Sequence, residues 1–217
     1  MARSVEAVKA AREKWRARKA TRSKKIRFWN RRLLAAKKRL EALNAELDEA
    51  KAAEASGAKA LAYLGGYVGK TEQPAGSNDA PFLALWRSKL PTLAWMKGQP
   101  WCGFACIAAW QFGAGVRLPD GVVFTPNIVA WTNRGEHFEK VAPWNARAGD
   151  LVVFNFPGGS TMADHVGLAR GPSRDGVIPT REGNTSSSDS GSQSNGGGVF
   201  DRSRPVELIA VVARPKK

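Results

Sequence analysis

Two cysteines and two histidines are the chain's whole stock of thiols and imidazoles, so any thiol chemistry must be built from Cys102, Cys106, His137 and His165. Cys102 follows Pro100-Trp101 and opens an apolar run that reaches Phe112. A cysteine in the first turn of a helix feels the positive end of the helix dipole, which favours the thiolate. The amides of that turn have no helical acceptor and are free to hold an oxyanion. The same position also suits a small buried hydrophobe, the commoner fate of a cysteine. Cys106, one turn further in, reads as structural. A spacing of four places both on one helix face and does not suggest a disulfide across a loop.

His165 begins the apolar stretch Asp164-His165-Val166-Gly167-Leu168, where a strand-borne imidazole can face a helix N-terminus and serve as the base. A core histidine bonded to a backbone carbonyl fits as well. His137, inside the polar run RGEHFEK, reads as a surface residue. An imidazole base needs a third group to fix its tautomer. Glu182 and Asn184 lie two apart on a later predicted strand, so both can share one side of it; a strand-end turn, Glu-Gly-Asn, is the competing reading. Trp101 and Trp131 are candidate groove walls, with core packing as the alternative, and Asn78 in its Gly-Ser-Asn loop is a candidate substrate contact. No CxxC pair or His/Cys cluster offers a zinc site, so no metal and no cofactor is expected. Surface carboxylates leave calcium open.

These residues must be positioned by a mixed scaffold. Ala58–Val68 and Pro81–Lys89 read as short helices separated by the loop 71–79, and Cys102–Phe112 as a central helix buried on several sides. The second half is rich in β-formers at 150–156, 164–170, 176–184 and 206–214, divided by turn residues. The Ser/Gly/Asn-rich stretch Thr185–Gly198 reads as a flexible loop beside those strands. Helices first and antiparallel strands after give an α+β domain.

The first 57 residues are different. Residues 1–51 hold 17 Lys/Arg against 6 Asp/Glu, a net +11 of the chain's +15. Residues 2–56 contain neither Gly nor Pro, and Ile26, Leu33, Leu40 and Leu47 recur every seventh position, with Trp29, Ala36, Leu43 and Ala50 three later. That a/d pattern predicts a coiled coil or helical hairpin; Lys19 and Arg22 break it before Ile26. Gly57 reads as the stop signal, dividing a basic arm, 1–57, from a globular domain, 58–217. No run approaches the length of a membrane span. The N-terminus lacks the apolar core of a signal peptide, so synthesis in the cytoplasm is expected.

The ordered set Pro100-Trp101-Cys102-Gly103-Phe104, Ala148-Gly149-Asp150-Leu151-Val152, Asp164-His165-Val166-Gly167-Leu168 and Glu182-Gly183-Asn184-Thr185, followed by Val199-Phe200-Asp201-Arg202, resembles a CHAP domain. This is the cysteine- and histidine-dependent amidohydrolase/peptidase of the papain-like NlpC/P60 group, and the resemblance spans roughly residues 58–215. It implies a papain-like fold, Cys102 as nucleophile, His165 as base, and Glu182 with Asn184 in support as the orienting group. It further implies peptidoglycan as substrate, cut at the muramoyl amide or within the peptide, by an enzyme of the phage endolysin type. Such an enzyme would accumulate in the host cytoplasm and reach the wall through a holin-type pore, or act from a virion as a tail-associated lysin. The acidic calcium loop of some members is not recognisable here, nor is a second wall-binding domain. The arm then reads as the attachment element, drawn to anionic wall polymers or a membrane surface; self-association through the heptads is a further reading, and nucleic acid the least favoured. The opposing class is a non-catalytic basic coiled-coil protein that binds envelope or nucleic acid and carries a degenerate CHAP-like module.

Overall fold

Strong helix formers without a break give one uninterrupted helix, α1 (Val5–Gly65), in the computed structural model, which describes residues 4–158, 163–188 and 191–216. The hairpin reading is therefore replaced by one continuous helix. Two compact units divide at Lys51/Ala52, six residues before the expected boundary. The expected stop at Gly57 is also corrected: Gly57 lies inside α1 and is buried. A Cβ there would run into the carbonyl oxygen of Ala148, and Gly149, at φ 88°, closes on Gly57 from the other side. Gly57 marks a close backbone approach, not a helix end. Among the described residues no helix is long and apolar enough to cross a membrane.

In the second unit, the last turns of α1 bury Ala60 and Leu64. They are followed by α2 (Pro81–Lys89), with Pro at its first turn, and by α3 (Cys102–Ala108), which runs into a π turn, Ala109–Ala114. Every residue from Trp101 to Trp110 is buried, as its apolar circumference demands. A further helix, α4 (Thr125–Arg134), and a first strand, β1 (Phe138–Val141), occupy a stretch where no element is expected; α4 carries its own signals, Pro126 in the first turn and Gly135 at the C-cap.

The remaining strands are β2 (Leu151–Phe154), β3 (His165–Ala169), β4 (Val177–Thr185), β5 (Gly198–Pro205) and β6 (Ile209–Pro215). They form one antiparallel sheet in the order β1-β6-β2-β3-β4-β5. Alternation along β2 sends Leu151 and Val153 into the helix-side core and Val152 and Phe154 into a smaller core on the other side. Asp150, at the head of β2, is buried and forked by the Arg214 guanidinium from β6 at 2.8 and 3.1 Å. The Ala148-Gly149-Asp150 run thus fixes strand pairing and the seat of α1. The architecture is helices against an antiparallel sheet, with a long N-terminal helix.

Candidate active site

Three elements bring the reactive side chains together. Cys102 is the first residue of α3, His165 the first of β3, and Glu182 lies on the neighbouring strand β4. Glu182 pairs across the ladder with Gly167, two residues beyond His165. A Cβ at Gly167 would sit 2.5 Å from the Glu182 Cγ. Gly167 is thus the gap through which the Glu182 side chain reaches diagonally to the imidazole. His165 Nε2 and Glu182 Oε2 are 3.0 Å apart, and both residues are fully buried.

Glu182 is itself gripped. Arg204 on β5 forks onto both its oxygens, at 2.9 and 2.5 Å, and the Thr180 hydroxyl donates to Oε1 at 2.5 Å. Burial alone would raise this carboxyl, but Arg204 and His165 outweigh it and hold the pKa at about 2. Arg204 is 4% exposed and its guanidinium lies 5.1 Å from the Phe156 ring centroid. The imidazole stacks on Phe154, with the Phe156 ring tilted against it at 6.0 Å, and the two hold its plane.

With Nε2 committed to Glu182, the other ring nitrogen, Nδ1, is buried and has no hydrogen-bond partner among the described residues. It is the face left for Cys102. Burial would push the Cys102 thiol up, but the adjacent His165 and its charge, aided by the Val166 and Gly103 amides, bring it below its usual value. Reciprocally, burial would lower His165, yet Cys102 and Glu182 raise it to about 9. The two shifts are reciprocal, and both favour a thiolate beside an imidazolium. Cys106 goes the other way, pushed well above its ordinary value by burial and by the neighbouring Cys102 and Glu182.

The other expected residues fall elsewhere. Asn184 is buried at φ 59°, in the irregularity that shifts the β4–β5 register between Glu182 and Thr185. It donates to Asn195 at 3.2 Å, and among the described residues it makes no hydrogen bond to His165. Trp101, expected as a groove wall, is 1% exposed, with its N–H donating to the buried Glu72 at 2.8 Å. Its ring edge fills the space that a Cβ on Gly183 would need, so it packs α3 against β4 and offers no surface to a ligand. Trp131 is half-buried, edge-on to His137 at 4.9 Å. Asn78 sits at φ 53° in the loop closed by Ser77 and Asp79. Neither hydrogen-bonds to Cys102, His165 or Glu182.

Arg204, Thr180 and Glu72 were not anticipated. A carboxylate on a buried strand requires a cation, but Arg204 lies on β5, outside the four expected β-rich stretches. Among the described residues no three His, Cys, Asp or Glu side chains gather as metal ligands.

No family model matches the chain, and no curated protein matches it. Among solved structures it is similar to the wild-type endolysin LysIME-EF1, at 18% identity and a TM-score of 0.44, over 72% of this chain and 62% of that one. The chain thus spans less than two thirds of that protein's length.

Proposed function

We propose that this chain is a thiol hydrolase of the papain-like CHAP type that cleaves an amide of bacterial peptidoglycan. What supports the chemistry is one observation: a buried cysteine, imidazole and carboxylate in series, with Glu182 holding Nε2 of His165 at 3.0 Å and leaving Nδ1 for Cys102. What supports the substrate is the resemblance of the four ordered motifs to the CHAP family.

The residues divide the work as follows. The Cys102 thiolate adds to the amide carbonyl, and first-turn amides of α3 receive the developing oxyanion. The His165 imidazolium gives its proton to the leaving amine as the C–N bond breaks, leaving a thioester on Cys102. Now neutral, His165 takes a proton from water. The resulting hydroxide attacks the thioester, the acid product departs, and the thiolate–imidazolium pair is restored. Glu182 stays ionised throughout, fixing the tautomer and orientation of the ring, and Arg204 keeps it so. The cationic arm draws the enzyme to anionic envelope polymers.

The test is wall clearing in a peptidoglycan zymogram by the wild type and by Cys102→Ala. The wild type is expected to clear and the variant not. Equal clearing by both would refute the thiol mechanism. Failure of the wild type on walls, with the thiol of Cys102 still titrating low, would refute the substrate alone.

A further inference from the structure

The first unit leaves a seam uncovered. Ile26, Trp29, Leu33, Leu40, Leu43 and Leu47 occupy its a and d positions, and each is 48 to 60% exposed. At 3.6 residues per turn the six fall within a sector of about 100°, along about 32 Å of helix. These a and d side chains make the narrow stripe of a coiled-coil partner rather than the broad apolar face of a helix lying in lipid; Phe28 and Leu34, also exposed, fall outside the sector.

Charge selects the partner and its direction. The stretch 25–36 carries Lys25, Arg27, Arg31 and Arg32 and no acid. The stretch 40–51 carries Glu41, Glu46, Asp48 and Glu49 against Lys51 alone. In a parallel pair each stretch would face its own copy, cation against cation. In an antiparallel pair the four cations of one chain lie along the four acids of the other. Lys37, Lys38 and Arg39 face their own copies in either direction, so they do not discriminate. The apolar layers agree with the antiparallel choice: a positions meet d positions, placing Leu33 against the partner's Leu43, Trp29 against the partner's Leu47, and the small Ala36 against the partner's Leu40.

We propose that the seam of the arm takes a second copy of this chain, running antiparallel. The occupant is the same sequence because the seam is complementary to itself in both charge order and side-chain size. The proposal is independent of the chemistry at Cys102.

Sedimentation velocity of the full chain over a concentration series tests it. A monomer–dimer equilibrium is expected, the heavier species having twice the 23.4 kDa chain mass. Because the arms are net positive, the dimer fraction rises with salt, the opposite of a polyanion complex. The double variant Leu33→Asn/Leu40→Asn, altering two side chains more than half exposed in the chain, is expected to be monomeric at every concentration. Direction is read from oxidative cross-linking in a Cys102→Ala background. A mixture of Leu33→Cys and Leu43→Cys chains should cross-link, and either alone should not. A wild type that stays monomeric overturns the proposal, as does a dimer that survives the double variant, or cross-linking by Leu33→Cys alone. A monomer that sediments with phosphatidylglycerol vesicles, and loses this in the double variant, would give the seam to a lipid surface and equally overturn it.

Discussion

Replacing Glu182 by Gln separates the electrostatic role of the carboxylate from its structural role. The Gln side chain keeps the shape and an acceptor oxygen for Nε2–H, but the negative charge is gone. A charge-assisted hydrogen bond of this kind exceeds a neutral one by roughly 1 to 2 kcal/mol, and one pKa unit is about 1.4 kcal/mol. The imidazolium should therefore lose about one unit from its raised value near 9. The thiolate depends on that imidazolium, so Cys102 should titrate higher by a similar amount. The assay is the pH dependence of alkylation by iodoacetamide. It distinguishes Cys102 from Cys106 because the Cys106 thiol is pushed well above its ordinary value. The wild-type midpoint is expected below the ordinary thiol value, and the Glu182→Gln midpoint above the wild-type one. An unchanged midpoint would refute the relay.

The same substitution leaves Arg204 buried at 4% exposure without its anion. Breaking a buried pair from one side costs about 3–5 kcal/mol, which for a chain of this size lowers Tm by roughly 10 °C. Adding Arg204→Met should recover much of that Tm while leaving the thiol midpoint raised. Recovery of both together would mean that Glu182 acts only by holding the strands, and that the orienting role assigned to it is wrong.

Two further outcomes follow from the geometry. Gly167→Ala places a Cβ 2.5 Å from Glu182 Cγ, so Glu182 must withdraw from His165. The thiol midpoint should rise as in Glu182→Gln while Arg204 keeps a charged partner, and the Tm loss should be about 1–3 kcal/mol equivalent, the usual range for overpacking; a midpoint equal to wild type would show that Gly167 is not the passage for the carboxylate. Glu182 is depressed from 4.5 to about 2 in the folded chain, so its contribution is present above its unfolded pKa and is lost as pH falls through the folded one. Thermal unfolding between pH 5 and pH 2 should show a loss of about 3 kcal/mol that is missing from Glu182→Gln; parallel curves for the two proteins would contradict the assigned shift. His165 has the opposite sign: raised from 6.5 to about 9, its contribution is complete below pH 6.5 and fades as pH rises past 9.

The elements most legible in the sequence were those with one dominant signal. Pro81–Lys89 was readable from its N-terminal proline and helix formers, and it forms α2 over those residues. The apolar run from Cys102 forms α3, although the expected helix changes to a π turn at Ala109. Strands β2 and β3 lie inside the expected β-rich stretches, and β4 and β6 each overrun theirs by one residue. What escaped had weak periodicity. Strand β1 is four residues long with only its ends buried. Strand β5 carries Asp201, Arg202, Ser203 and Arg204, and polar residues hide a strand whose inward side chain is an arginine neutralising a carboxylate. The partner expected for the imidazole was split between Glu182 and Asn184 because two residues apart on a strand share a side. The β4–β5 register shift breaks that rule between them, and a shift of register has no composition of its own.

The glycines of the motifs expose the deeper limit. Gly103, Gly167 and Gly183 sit beside Cys102, in the His165 strand and between Glu182 and Asn184, where sequence reading treats them as spacers. Each is a contact surface. A Cβ on Gly103 would strike the Val122 carbonyl, one on Gly167 the Glu182 side chain, and one on Gly183 the Ala105 methyl at 2.6 Å and the Trp101 ring at 2.7 Å. None of the three needs a positive φ, so their role is not conformational freedom. They are small because three elements converge on one buried point, and the thiol, imidazole and carboxylate can meet only if the residues between them take up no room. Trp101 belongs to the same logic: an indole pinned by Glu72 at 2.8 Å supplies the rigid wall against which Gly183 closes. The motif text is therefore the imprint of a packing problem, and the chemistry occupies the few positions that packing leaves to polar groups.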